Sequence, residues 1–145
     1  MNHVTSIGLD VHARSITAVA LDSMTGEVRS QRFGYSPTDL ASWILGFQLE
    51  NIVFMELLRR GYEVHIGTFE QNEIDFVAKK HADYLYIQVC ETLLDEATKT
   101  RETAPLDAIG DSYEKMILTR DDTAIGTTRS DIRIRSLIDW LLETQ

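Results

Sequence analysis

The alternation of apolar and polar residues predicts three short strands at the start of the chain. Apolar residues alternate with polar or small ones in TSIGLDV (residues 5–11) and SITAVALD (residues 15–22), and the more polar VRSQRFGYS (residues 28–36) follows a turn. Short connections between such strands favour an antiparallel meander. Asp10 falls between two apolar positions, so the alternation places its side chain on the face opposite to the apolar residues.

The spacing of apolar residues becomes helical after the third strand. Ser36 is a suitable helix N-cap, and Gly61 suits a C-terminal cap further along the chain. Two helical segments are predicted between them, one that reaches Phe47 and one from about Glu50 onward. Gly46 leaves open whether these segments form one bent helix or a short helical hairpin.

Period-two alternation returns after Gly61 and predicts the strands of a second sheet. A charged segment rich in good helix formers runs from Thr92 to about Thr103, and Pro105 marks its end or a break. The predicted strands are EVHIGTF, EIDFVAKK, YLYIQVC, KMILTRD and a short one around IRI, and the amphipathic helix SLIDWLLET follows them. The fold class predicted is α/β (α+β), with a three-stranded meander and helix joined to a mixed sheet flanked by helices.

Composition limits the classes of function. The 145 residues carry a formal charge of −9, which disfavours generic binding to phosphates but leaves room for a local basic patch that includes Lys79 and Lys80. No stretch approaches the roughly 20 apolar residues that span a bilayer, and the N-terminus lacks the pattern of a signal peptide. Cys90 is the single cysteine, so no internal disulfide forms. We therefore expect a cytoplasmic protein without a membrane partner.

The order of elements in the second part resembles that of the PD-(D/E)XK nuclease core. That order is helix, strand, strand, strand, helix, strand, and it covers residues 49–145 of a predicted domain formed by residues 48–145. In such nucleases an acid on one strand and an acid-x-lysine on the next hold Mg²⁺ and orient the attacking water. A glutamate on the preceding helix often completes the site. The resemblance implies a restriction-endonuclease-like domain.

Four residues of this chain occupy the positions of that motif. Glu50 lies eleven residues before Gly61 and matches the helix glutamate, and Asp75 matches the strand acid. Gln88, thirteen residues later, stands at the second acid, and Cys90 stands at the lysine, on the same face of the strand by period two. A simpler interpretation makes Asp75 an edge acid, Gln88 a hydrogen-bonded sheet residue and Cys90 a small buried apolar residue. In that interpretation Glu50 is only a favourable charge near a helix N-terminus.

Longer segments of the same part resemble one particular family. ENIVFMELLRRGYEVHIG, EIDFVAKK, YIQV, the segment LLDEATKTRETAPLDAIGDSYEKMILTRD and LIDWLL are together similar to the C-terminal domain, of unknown function, of a large family of prokaryotic AAA+ ATPases. The resemblance implies a nuclease-like accessory domain, with an ATPase as a partner. The chain contains no G-x-x-x-x-G-K-[ST] motif, so ATP hydrolysis is not expected of it.

The first part, residues 1–47, resembles a different family. IGLDVH, the strands around it and the S-P-T-D-L segment are similar to the start of the RuvC-like DEDD domain of insertion-sequence transposases. The resemblance implies an RNase-H-like meander in which Asp10 is the first of four metal-binding acids. Two-metal chemistry needs several carboxylates, and this part supplies the first one. A complete transposase is therefore not expected.

These observations lead to three hypotheses about function. The first is a catalytically inactive relic of nucleic-acid-processing proteins, at most a module for DNA or RNA binding or for assembly. The second is a Mg²⁺- or Mn²⁺-dependent nuclease that uses Glu50, Asp75 and Gln88, and the third is a protein-interaction or dimerisation module. A meander with one helix cannot bury both of its faces. We therefore expect its apolar residues to pack on the second part or on another copy in a homodimer; they include Val4, Ile7, Leu9, Val19, Leu21, Trp43 and Ile44.

Overall fold

A computed structural model gives the arrangement of these elements. It describes residues 5–12, 14–22, 25–34, 36–69 and 71–143. The strands are β1 (Thr5–His12), β2 (Ser15–Asp22), β3 (Val28–Gly34), β4 (Glu63–Phe69), β5 (Asn72–Lys80), β6 (Asp83–Cys90), β7 (Glu114–Thr119), β8 (Gly126–Thr127) and β9 (Arg133–Ser136). The helices are α1 (Pro37–Arg59), α2 (Glu96–Asp107) and α3 (Leu137–Leu142), with a short 3₁₀ turn at Asp122–Ala124.

The chain divides into two compact units, and the boundary between Ile44 and Leu45 falls inside α1. The first unit holds an antiparallel sheet in the order β1-β2-β3, and the second holds a six-stranded mixed sheet with helices on both faces. The prediction of an α+β chain built from a meander, a helix and a mixed sheet flanked by helices is confirmed.

The sheet of the first unit has one mainly apolar face. Its register places Val11 opposite Ile16, and Ile16 opposite Phe33. Directly opposed residues of neighbouring strands share a face, so these three side chains lie together. Ile16 and Phe33 are buried, and the Phe33 ring meets the Trp43 ring edge-to-face with centroids 5.9 Å apart.

Several apolar residues of this sheet remain at the surface. Leu9, Val19 and Leu21 are 50%, 38% and 41% exposed. The expectation that they pack on the second part or on another copy stays a prediction, and Val4 lies outside the described residues. Asp10 is exposed, and the alternation along β1 places it on the face opposite to Val11, as predicted.

The helix α1 is one continuous helix of 23 residues, which decides between the two arrangements left open by the sequence. The hydroxyl of Ser36 accepts a hydrogen bond from the Asp39 backbone N–H at 3.3 Å, so the predicted N-cap is confirmed. At the other end Gly61 has a φ of +80°, and the two backbone bonds of a Schellman cap run from Gly61 to Leu58 and from Tyr62 to Leu57.

By length and composition alone, α1 is also apolar enough to cross a membrane. The sequence was expected to contain no segment of this kind. Three of its residues, Leu49, Val53 and Leu57, are nevertheless buried in the core of the second unit. A core helix passes the same test of length and apolarity, so this finding is weak evidence for a membrane span.

The second unit is built around the sheet of order β4-β5-β6-β7-β9-β8. On one face α1 and α3 pack against it, and the buried residues there are Leu49, Val53, Leu57, Phe76, Ala78, Leu85, Ile87, Val89, Met116, Leu118, Leu137 and Trp140. On the other face, which carries α2, they are Ile74, Cys90, Leu93, Leu106, Ile109, Ile117, Ile132 and Ile134. Since β6 and β7 are parallel, α2 forms the crossover between them.

The bounds of α2 differ from those predicted. The helix begins at Glu96, after Asp95 accepts a hydrogen bond from the Thr98 backbone N–H at 2.9 Å, and not at Thr92. It also continues through Pro105 to Asp107. Proline removes one backbone donor, but it stands in the last turn, and burial of Leu106 against the sheet offsets that loss.

Candidate functional site

The candidate site lies where β5 and β6 separate. The backbone pairing of these strands ends at the pair Phe76 and Ile87. Beyond this pair, the backbone N–H of Asp75 donates to Oε1 of Gln88, and the backbone N–H of Val89 donates to Oδ2 of Asp75, both at 2.7 Å. The side chains of Asp75 and Gln88 therefore take the place of backbone acceptors and join the two strands.

A β-bulge in β5 produces this arrangement. The register pairs His65 with Val77 and then Gly67 with Ile74, so two steps along β4 correspond to three along β5. The additional residue lies in the segment that contains Asp75. It lets Ile74 and Val77 share the face of α2. Bulges often redirect side chains next to functional sites, and the segment of this bulge contains Asp75, the acid of the nuclease-type motif.

Gly67 is required opposite this bulge, and its replacement by alanine is expected to be destabilising. A Cβ at this position would lie 2.6 Å from Cγ2 of Val77 and 3.1 Å from Cβ of Ile74, both on stiff β-branched side chains. We expect Gly67→Ala to lower the free energy of unfolding by about 2 kcal/mol. Urea denaturation followed by circular dichroism measures this change.

The matched control is Gly46→Ala, because nothing lies within 4 Å of a Cβ built at that position. Alanine favours an α-helix over glycine, so this variant is expected to raise the free energy of unfolding by roughly 0.5–1 kcal/mol. Equal effects of the two substitutions would contradict the close approach at Gly67.

A third polar residue of the site, Glu102 on α2, is not part of the predicted motif. Nε2 of Gln88 lies 3.4 Å from Oε2 of Glu102, and Oε1 of Glu102 accepts a hydrogen bond from Arg101 at 2.8 Å. The Glu102 side chain is 12% exposed. The available signal was its spacing of four residues from Leu106, which is fully buried against the sheet.

Gln88 and Cys90 are buried on the same face of β6, as period two predicts. Burial is the main cause that raises the pKa of the Cys90 thiol to about 12, and the Glu102 and Asp75 carboxylates raise it further. A hydrogen bond that involves Thr119 acts in the opposite direction. The position that holds an ammonium in the nuclease motif therefore holds a neutral thiol at physiological pH.

Two further predicted site residues, Glu50 and Asp10, belong to different units of the chain. Glu50 is half-buried on α1, directly after the buried Leu49, and Asp10 is exposed on β1 of the first unit. Within residues 5–12, 14–22, 25–34, 36–69 and 71–143, no three His, Cys, Asp or Glu side chains are grouped so that they could hold a metal ion. Asp75 meets Gln88, and Gln88 meets Glu102, through hydrogen bonds instead.

Lys79 and Lys80 lie at the other end of β5. The Lys79 ammonium is 5.8 Å from the centroid of the Tyr84 ring, and the Lys80 ammonium is 5.3 Å from that of Tyr62. At about 3.3 Å per residue, they lie roughly 13–16 Å along the strand from Asp75. Each lysine therefore lies beside a different tyrosine ring, and both are distant from the polar cluster formed by Asp75, Gln88 and Glu102.

Comparison with curated proteins finds a relative whose description assigns it no function. This protein of Haemophilus influenzae strain Rd, described as an uncharacterized protein, is 41% identical to the chain over 99 residues. The alignment covers 66% of this chain and 23% of the relative, so the chain spans about a quarter of the relative's length. No protein family model matches the chain, and no solved structure matches it.

Proposed function

We propose that residues 48–145 form a nuclease-like domain without catalytic activity, which serves in nucleic-acid binding or in assembly. The observation that carries this proposal is that the side chains of Asp75 and Gln88 link β5 to β6. Oδ2 of Asp75 and Oε1 of Gln88 each accept a backbone hydrogen bond of 2.7 Å. A metal ion that used these atoms would have to compete with the bonds that hold β5 to β6.

The lysine position supports the same proposal. In the nuclease motif a cation at this position orients or deprotonates water. A thiol whose pKa lies near 12 supplies neither a positive charge nor a base at physiological pH. Cys90 is also only 7% exposed, so it has little contact with solvent. A hydrogen-bonded sheet residue at Gln88 and a small buried residue at Cys90 therefore explain these positions more simply than a catalytic role does.

The surface supports a role in binding or assembly. Lys79 and Lys80 lie beside tyrosine rings, a combination that suits nucleic acid. In the first unit the edge strand β1 exposes Leu9 and Val11, at 50% and 59%, which suits a homodimer contact. An ATPase as partner rests on the resemblance of the second part to the ATPase-linked domain.

A Mg²⁺- or Mn²⁺-dependent nuclease is the second candidate, and the position of Glu102 favours it. This carboxylate lies 3.4 Å from Gln88, next to the two motif positions, and adds a negative charge that the sequence motif did not include. Glu50, Asp75 and Gln88 would be the other ligands in this alternative.

Incubation of the protein with single- and double-stranded DNA and RNA in the presence of Mn²⁺ tests the proposal. We expect no cleavage by protein whose circular dichroism shows that it is folded. The matched variant is Asp75→Asn, which keeps an oxygen acceptor for the Val89 N–H but removes the charge. Cleavage that disappears in both Asp75→Asn and Glu102→Gln would contradict the proposal and establish the second candidate.

A further inference from the structure

The second sheet has a pocket at the end opposite to the polar cluster, and this pocket combines aromatic rings with the Lys80 ammonium. It lies where β4, β6 and β7 begin and has a volume of about 440 Å³, within the range of about 300–1,000 Å³ typical of small-ligand sites. Three tyrosines, Tyr62, Tyr84 and Tyr113, line it together with Lys80 and His81. We refer to these five residues as the tyrosine pocket.

We propose that the tyrosine pocket binds one nucleobase that carries a phosphate, as presented by the terminal nucleotide of a single strand. This inference rests on the nucleic-acid role in the proposed function and names its ligand. Aromatic side chains that stack on bases, beside cations that meet phosphates, are the usual means of binding unpaired nucleotides. A free nucleotide presents the same chemistry, and the experiment below separates the two sources.

The aromatic part of the pocket is already ordered. The Tyr84 and Tyr113 rings pack edge-to-face with centroids 5.2 Å apart, and Tyr113 is 39% exposed. Rings held in this way lose little conformational freedom when a base stacks on them. The flat faces of tyrosines accept any base, so the ligand class is defined by its ring and not by its sequence.

The phosphate contact is assigned to Lys80 and His81. The Lys80 ammonium lies over the Tyr62 ring and donates one hydrogen bond to the Arg60 carbonyl at 2.9 Å, which uses one of its three donors. His81 has a φ of +58° in the two-residue turn between β5 and β6, a conformation that suits glycine better. Such strain often persists where a side chain serves in binding.

Two acids restrict the pocket to a single nucleotide. Glu114 lines it but accepts a hydrogen bond from Arg133 at 3.1 Å, and Asp83 lies opposite Lys80 at the end of the strand pair. With these carboxylates nearby and a formal charge of −9, a long phosphate backbone would be repelled. The expected salt dependence is therefore that of about one phosphate, a slope near −0.7 in log K against log salt concentration.

Fluorescence anisotropy with an eight-nucleotide oligothymidylate, labelled at either end in separate probes, tests the inference. We expect Tyr84→Ala and Lys80→Met to weaken binding roughly tenfold each, Tyr84→Phe to retain it, and His81→Gly to weaken it without loss of stability. Lys99→Met, which changes a lysine outside this pocket, is the control for charge. Competition with thymidine monophosphate that is as strong as that with the oligonucleotide would assign a free nucleotide as the source.

Absence of binding by all probes, or binding that Tyr84→Ala and Lys80→Met leave unchanged, would overturn the inference. A slope of −3 or steeper would also overturn it, because that value corresponds to roughly four or more phosphates. The cleavage assay reports on the proposed function separately, since the Asp75→Asn variant leaves the tyrosine pocket unaltered. Cleavage together with Tyr84-dependent binding would therefore reject the inactive domain and keep the pocket.

Discussion

Replacement of Arg60 by methionine is expected to lower the free energy of unfolding by about 3 kcal/mol, because it breaks a buried ionic contact. The Arg60 side chain is 6% exposed, and its Nε donates to Oε1 of Glu56 at 2.7 Å. Its guanidinium also donates to the carbonyl of Trp140 and lies 4.2 Å from the centroid of the Trp140 ring. One side chain thus ties the end of α1 to α3.

The matched control is Arg59→Met. Arg59 donates to the same carboxylate, at 2.7 and 2.6 Å, but its side chain is 63% exposed. Solvent screens such a pair, so we expect a much smaller loss than that of Arg60→Met. Urea denaturation at pH 7.5 measures both variants. Similar losses for the two would show that burial does not determine the contribution of these arginines.

The pH dependence of stability provides a second measurement of the same contact. Hydrogen bonds from Arg59 and then Arg60 lower the pKa of Glu56 to about 2, against the opposing effect of burial. Since this folded pKa lies below the ordinary value of 4.5, the carboxylate stabilises the fold above pH 4.5 and this contribution is lost as the pH falls toward 2. The difference in stability between the protein and Glu56→Gln is expected to shrink across that range.

The elements of the fold were predictable because their signals are local. Ser36 and Gly61 act through bonds to the nearest backbone groups, so a cap residue in the sequence is a cap in the structure. Local signals did not decide whether α1 is one helix or two. A glycine inside a helix costs about 1 kcal/mol, and the burial of Leu49 and Val53, which follow Gly46 in the same helix, exceeds that cost.

The candidate site was predictable in position but not in contacts. Alternation along a strand places Gln88 and Cys90 on one face, and the structure agrees. The alternation does not encode how a strand aligns with its neighbour, so the bulge at Asp75 had no signal in the sequence. Glu102 approaches Gln88 through the packing of α2 on the sheet. Its spacing from the buried Leu106 indicates the face of the helix on which it lies, but not this long-range contact.

Introduction of an acid at position 88, where the nuclease-type motif has one, provides the sharpest test of the role of the polar cluster. Gln88→Glu is expected to lower the free energy of unfolding by about 3 kcal/mol at pH 7.5, because it places an uncompensated charge in a buried position. Gln88 is 5% exposed, and its Nε2 faces the Glu102 carboxylate at 3.4 Å. The new carboxylate would meet that of Glu102 and would lie beside Asp75.

The expected loss depends on pH in a defined direction. Burial and the neighbouring carboxylates raise the pKa of the new carboxyl above its value in the unfolded chain, so the variant should recover stability relative to the unsubstituted protein as the pH falls to 5. The double variant Gln88→Glu/Glu102→Gln exchanges the two groups and should recover most of the loss at pH 7.5, since an amide again faces a carboxylate. Urea denaturation of the three proteins at both pH values measures these effects. Full stability of Gln88→Glu at pH 7.5, with a further gain in Mn²⁺ that Asp75→Asn abolishes, would contradict the structural role and show that these positions can form a metal site.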